Sequence, residues 1–147
     1  MADLGRLDVL VNNAGAPSLG TVETVTPEEW RGALAINLDA LFHTSRASIR
    51  HLRDTRGSVI NVGSMAALHA DYGMVAYSTA KGAVANLTRA MAMDHAPEVR
   101  VNAVHPGFTL DTGFTAGLTP DSVVAFLTSA EGHWINGKIL RANGGMV

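Results

Sequence analysis

Short apolar runs alternate with long amphipathic stretches along the whole chain. Asp8-Val9-Leu10-Val11 is a β-branched run closed by the turn-forming Asn12-Asn13-Ala14-Gly15. No polar position alternates through it, so it predicts a strand covered on both faces. After a loop with Pro17 and Gly20, Thr26-Pro27-Glu28-Glu29 supplies an N-cap, a proline at the first helical position and two acids in the first turn. Trp30, Leu34, Leu38, Leu41 and Phe42 then recur at helical spacing. The predicted helix runs to about Arg53 and stops before Gly57.

The same cycle repeats. Ser58 to Val62 predicts a second buried strand, and a loop from Gly63 to Gly73 leads into an Ala-rich helix from Val75 to His95, stopped by Pro97. Val99 to Val104 predicts a third strand, ended by Pro106-Gly107. A short helix from Pro120 to about Ser129 and a strand from Lys138 to Arg141 close the chain, with Asn136-Gly137 making the turn between them. Strands apolar on both faces, joined by helices, predict an α/β fold: a parallel sheet with helices on both faces and right-handed crossovers. The Gly- and Thr-rich segment from Phe108 to Leu118 predicts a loop near the carboxyl ends of the strands, where such folds bind ligands.

Composition narrows the function classes. A chain of 147 residues suits one domain with a sizeable core. Eleven Lys and Arg against 13 Asp and Glu leave a charge of −2, unlike the clustered positive charge of a dedicated nucleic-acid binder. The absence of cysteine excludes disulfides, thiolate metal sites and a Cys nucleophile. No apolar run approaches the roughly 18 residues that cross a bilayer, and residues 1–10 carry charges where a signal peptide would be apolar. The expectation is a soluble, cytoplasmic protein with no membrane or nucleic-acid partner. His43, His51, His69, His95, His105 and His133 form no ligand spacing, so no metal site is expected. Of these, His105 reads as a packing residue. Met65, Met74, Met91 and Met93 read as core or helix-interface filling. The cations from Arg46 to Arg56 suit the C-terminal dipole of a helix. Gly15 to Gly20 is only superficially a phosphate loop, since Thr21 stands where its lysine belongs.

The sharpest chemical feature is Tyr77-Ser78-Thr79-Ala80-Lys81. Tyr and Lys at i and i+4 share a helix face, and an ammonium beside a phenol stabilises the phenolate, which suits it to general acid–base work. Alone, the signal is weak, and the pair reads first as a solvated surface helix pair. Ser64 follows the second strand 13 residues before Tyr77, where its hydroxyl could bond a substrate oxygen or simply satisfy a loop backbone group. Asn37 stands mid-helix among Leu34, Ile36 and Leu38, a poor helix-interior residue that either faces solvent or has an assigned partner. Asn12-Asn13-Ala14-Gly15 is a turn that, at a sheet's carboxyl edge, could line a cofactor pocket.

Taken in order, Asn12-Asn13-Ala14-Gly15, Asn37, Ser64, the Tyr77/Lys81 pair, Pro106-Gly107 and the closing stretch from Asn136 to Gly145 resemble the short-chain dehydrogenase/reductase family over nearly the whole chain. The resemblance implies the C-terminal part of a Rossmann-like doubly wound fold, from its fourth strand through its seventh. It implies one catalytic domain over residues 1–147. Tyr77 would be the acid/base. Lys81 would support it and bind the nicotinamide ribose, Ser64 would orient the substrate oxygen, and Asn37 would hold a water in a proton relay. Asn13, Ala14 and Gly15 would line the adenosine end of the cofactor site, with Pro106, Gly107 and Thr109 facing the nicotinamide. The implied reaction interconverts a secondary alcohol and a ketone with NAD or NADP. The implied assembly is a homo-oligomer, dimer or tetramer, with the two long helices as its surface.

The sequence departs from the family in two places. It has no G-x-G-x-x-G-like segment to wrap a pyrophosphate, so the resemblance reads as a chain lacking the N-terminal Gly-rich half. The expected consequences are an open, apolar sheet edge at Asp8 to Val11, prone to association, and weak dinucleotide binding and turnover by this chain alone. The stretch after Pro106-Gly107, from Phe108 to Thr119, is also short, which leaves open whether Thr109 or Thr112 matches the family's threonine. Two rival readings remain: a non-catalytic oligomerisation or regulatory fragment descended from the family, and a generic α/β binding protein in which Tyr77 and Lys81 point away from Ser64.

Overall fold

The computed structural model describes residues 5–107 and 120–145. Its strands are β1 (Val9–Asn12), β2 (Ser58–Val62), β3 (Arg100–Pro106) and β4 (Ile139–Ala142), joined in the order β1-β2-β3-β4. Every pairing is parallel, with Val9 opposite Ser58, Ser58 opposite Arg100 and Ala103 opposite Ile139. The helices are α1 (Pro27–Leu34), α2 (Ala40–Thr55), α3 (Ala66–His69), α4 (Val75–His95) and α5 (Pro120–Thr128).

Helices cover both faces, because alternate strand residues point to opposite sides. Val59 and Val101 pack with Leu52 of α2 and Met91 of α4, while Ile60 and Val104 pack with Leu127 of α5. Each such side chain, fully buried, contributes about 1.5–3 kcal/mol. Of the four methionines expected inside, Met65 and Met91 are buried, but Met93 is 83 % exposed. It lies on the side of α4 turned away from the sheet, so helical phase outweighs its hydrophobicity.

The first long helix starts as its sequence predicts. Thr26 and Glu29 form a reciprocal capping box, with the Glu29 N–H donating to Thr26 Oγ1 at 3.2 Å and the Thr26 N–H to Glu29 Oε2 at 2.9 Å. Where one uninterrupted α-helix is predicted, the structure inserts a π-helical segment, Ala35–Asp39, between α1 and α2. Arg56, in the left-handed conformation at φ 52°, ends α2. The loop expected from Gly63 to Gly73 contains the short α3.

β1 lies at the edge of the four-strand order, and Val11 is 43 % exposed there. A buried polar chain fastens this edge to its neighbours. Asn12 Nδ2 donates to Asn61 Oδ1 at 2.8 Å and Ser45 Oγ at 3.0 Å, and Thr44 Oγ1 donates to Asn12 Oδ1 at 2.6 Å. Asn61 Nδ2 in turn donates to Thr88 Oγ1 at 2.9 Å. The chain crosses from α2 through two strands to α4, and its members are satisfied by one another, as buried amides require. The predicted loop from Phe108 to Leu118 lies outside the described residues.

Candidate active site

Every strand of a parallel sheet ends on the same side, so the segments after β1, β2 and β3 converge there. Two adjoining hollows open at this edge, of about 570 and 770 Å³. Ser64, Tyr77, Asn13, Pro106 and Gly107 form part of their common wall. Toward the start of α4 the first hollow adds Gly15, Ala16, Pro17, Met74 and Lys81, and the second reaches across the sheet to Val124 and Ala125 of α5.

Ser64 follows β2 and is held by backbone bonds on either side, Gly63 N–H to the Val104 oxygen at 2.8 Å and Met65 N–H to the Pro106 oxygen at 3.0 Å. Its Oγ accepts from the Ala66 N–H at 3.1 Å, which leaves the hydroxyl hydrogen to be donated into the cleft. Tyr77 sits in the first turn of α4, half-buried. One turn later Lys81 is buried and its Nζ lies 5.8 Å from the centre of the Tyr77 ring. Nζ donates to the Val62 carbonyl oxygen at 3.0 Å, its only hydrogen bond among the described residues, so two of its three donors stay free. Burial pulls the Lys81 pKa below its ordinary value.

Asn37 has a partner after all and is fully buried. Its Nδ2 donates to the Ala33 carbonyl at 3.0 Å and the Ala16 carbonyl at 2.9 Å, and its Oδ1 accepts from the Ala16 N–H at 3.2 Å. The side chain thus occupies the Ala33 carbonyl, four residues back, at the point where the helix widens into its π-helical segment. It also holds the Gly15–Ala16 strip against the helix. A Cβ on Gly15 would lie 2.8 Å from Asn37 Oδ1 and 3.2 Å from Lys81 Nζ, so glycine is what lets the strip close over both groups. Of the residues placed at the cofactor site by sequence, Asn13, Gly15, Tyr77, Lys81, Pro106 and Gly107 line the cleft. Ala14 is not among its lining residues, and Thr109 lies outside the described residues.

Sequence reading missed three participants. The Val62 carbonyl that holds Lys81 is a backbone group with no side-chain signal. His69 and Asp71, which also line the first hollow, stand in a stretch read as plain loop. His105 is fully buried, as a packing residue should be, yet neither ring nitrogen has a hydrogen-bond partner among the described residues. Its ring lies where a Cβ on Gly63 would have to go. Burial first, then the charges of Lys81, Arg89 and Arg141, push its pKa down to about 4. The described residues contain no cluster of metal-ligating side chains and no helix long and apolar enough to cross a membrane.

Comparison with known proteins gives a matching outline. The family model for short chain dehydrogenase matches residues 1–122. Meso-2,3-butanediol dehydrogenase of Serratia marcescens is 35 % identical over 164 aligned residues, covering 97 % of this chain. The chain spans 65 % of that relative's length. Among solved structures, the ligand-free aldohexose dehydrogenase of Thermoplasma acidophilum superposes with a TM-score of 0.88 at 32 % identity, covering 98 % of this chain and 69 % of that one. The 3-ketoacyl-(acyl-carrier-protein) reductase of Brucella melitensis, solved in complex with NADH, superposes with a TM-score of 0.86 at 28 % identity, with the same coverages of 98 % and 69 %.

Proposed function

The chain belongs to the short-chain dehydrogenase family, and from that premise we propose that it is an NAD- or NADP-dependent oxidoreductase interconverting a secondary alcohol and a ketone, with Tyr77 as the general acid/base. The observation that carries this reading is the convergence of Ser64, Tyr77 and Lys81, from separate segments, on one cleft at the carboxyl edge of the sheet.

The residues present fit the nicotinamide–ribose end of such a cofactor. Lys81 offers two unused donors beside Gly15, a pattern suited to the vicinal hydroxyls of a ribose, and Pro106-Gly107 presents backbone to a flat ring. When bound, the cofactor supplies the hydride acceptor or donor. The related reductase solved with NADH supports that choice of chemistry.

In the oxidation direction, the Ser64 hydroxyl donates to the substrate oxygen and fixes its position. The Tyr77 oxygen would take the hydroxyl proton as the alcohol is oxidised to the ketone, the hydride acceptor being what the bound cofactor would supply. Reduction reverses each step, with Tyr77 returning the proton. The Lys81 ammonium, near the phenol ring and shielded from water, stabilises negative charge on the Tyr77 oxygen. Asn37 acts through Ala16, holding the strip that packs over Lys81.

The test is Tyr77→Phe, assayed with NAD and NADP on a panel of secondary alcohols and ketones. The phenyl ring preserves packing and removes the phenolic proton carrier, so kcat is expected to drop about 10²- to 10⁴-fold with an unchanged melting temperature. Equal turnover by the Phe variant, or no dinucleotide-dependent reaction by the unmodified chain even at saturating cofactor, overturns the reading.

A further inference from the structure

Asp71 lines the first hollow together with Ser64 and Tyr77, yet its carboxylate meets no hydrogen-bond donor and no cation among the described residues. Its backbone is well fixed. The Asp71 carbonyl accepts from the Met74 N–H at 3.2 Å, and Met74 pairs with Gly20 as an isolated parallel bridge. The Gly73 carbonyl also accepts from the Gly20 N–H at 2.6 Å. Asp71 is therefore held at the wall of the hollow by a braced turn, six residues ahead of the Tyr77 phenol.

Its surroundings define what it can accept. Ala16, Pro17, Met65 and Met74 supply an apolar wall that would take carbon, not charge. Among the described residues Lys81 is the one Lys or Arg lining the hollow, and its two remaining donors are the ones assigned above to the cofactor ribose. His69 lines the same wall, is exposed, and makes no ion pair with Asp71. A substrate carboxylate or phosphate would meet a like charge there, whereas a second hydroxyl would meet an unused acceptor.

We propose that Asp71 is the specificity determinant of this site: it accepts a hydrogen bond from a second hydroxyl next to the reacting carbinol, selecting neutral vicinal diols and their hydroxyketones over mono-alcohols and over hydroxy acids. This rests on the alcohol–ketone reading of the cleft. Removing a hydrogen bond to a charged group typically changes affinity by about 10- to 100-fold, and that is the discrimination expected here.

The experiment compares three matched probes on the full chain: cyclohexanol, cis-1,2-cyclohexanediol and cis-2-hydroxycyclohexanecarboxylate. Dissociation constants come from saturation-transfer NMR, which needs no turnover, and kcat/KM from cofactor absorbance. The diol is expected to bind most tightly. Asp71→Ala is expected to shrink the diol-to-mono-alcohol affinity ratio about 10- to 100-fold. Asp71→Asn, which keeps shape and one acceptor, is expected to retain part of the ratio and to strengthen binding of the hydroxy acid. An unchanged ratio in either variant, or hydroxy-acid binding by the unmodified chain as tight as diol binding, overturns the proposal. Diol selectivity without hydride transfer supports Asp71 and overturns the redox reading alone. Hydride transfer with an unchanged ratio does the reverse.

Discussion

The Lys81 ammonium donates to the Val62 carbonyl oxygen, joining the second turn of α4 to the end of β2 just ahead of Ser64. One hydrogen bond thereby sets the spacing between the element that carries the phenol and the element that carries the hydroxyl. It also anchors a buried cation that would otherwise be costly to keep charged.

Replacing Lys81 with Met tests that coupling. The thioether fills a similar volume, so the fold is expected to survive with a loss of about 1–3 kcal/mol, the cost of leaving the Val62 carbonyl unpaired. Thermal melting reads this loss. Activity is expected to fall at least about 10²-fold through kcat, with KM for the dinucleotide rising as well, because the Met side chain neither stabilises charge on Tyr77 nor donates to a ribose.

Asn37 makes a different prediction, because it acts on backbone. In Asn37→Ala the Ala33 carbonyl returns to ordinary helix bonding and the Ala16 N–H and C=O lose their partner. Stability is expected to fall by about 2–3 kcal/mol, the cost of losing buried side-chain hydrogen bonds. Amide hydrogen exchange at Ala16 should accelerate, while exchange in β2 and β3 stays slow. Unaltered protection at Ala16 would show that the tether does not hold the strip.

His105 ties stability to acidity. Its folded pKa of about 4 lies below the ordinary 6.5, so between these values the unfolded chain binds a proton that the folded chain refuses. The contribution is therefore fully present above pH 6.5 and is lost as pH falls toward 4, by up to about 3 kcal/mol. Lys81, Arg89 and Arg141 all oppose the imidazolium. His105→Met keeps an apolar group of similar size beneath Gly63. Its melting temperature should vary less between pH 7 and 4.5 than that of the parent chain, and parallel pH curves for the two would sink the assignment.

Much of the fold was legible because apolar runs and breakers are local signals. β2 and α4 occupy the residues their patterns predict, Ser58 to Val62 and Val75 to His95. The π-helical segment was not legible, although its cause was visible as an out-of-place Asn37. Helical periodicity locates a polar residue without saying which backbone it will reach, and Ala16 is 21 residues away in the chain. Met93 failed for a related reason: its residue type favours burial, but its phase on α4 puts it outside.

The amino-acid order alone determined the succession of strands and helices, the covering of both sheet faces and the identities of the groups able to do proton chemistry. These follow from side-chain hydrophobicity and spacing, which act between near neighbours. Only folding decided that the Val62 carbonyl would hold Lys81, that Gly15 would close over Asn37 and the ammonium, and that the Asp71 side chain would stand in the hollow unpaired among the described residues. Those are contacts between segments whose meeting is set by the parallel register of the sheet, and a linear pattern carries no coordinate for them.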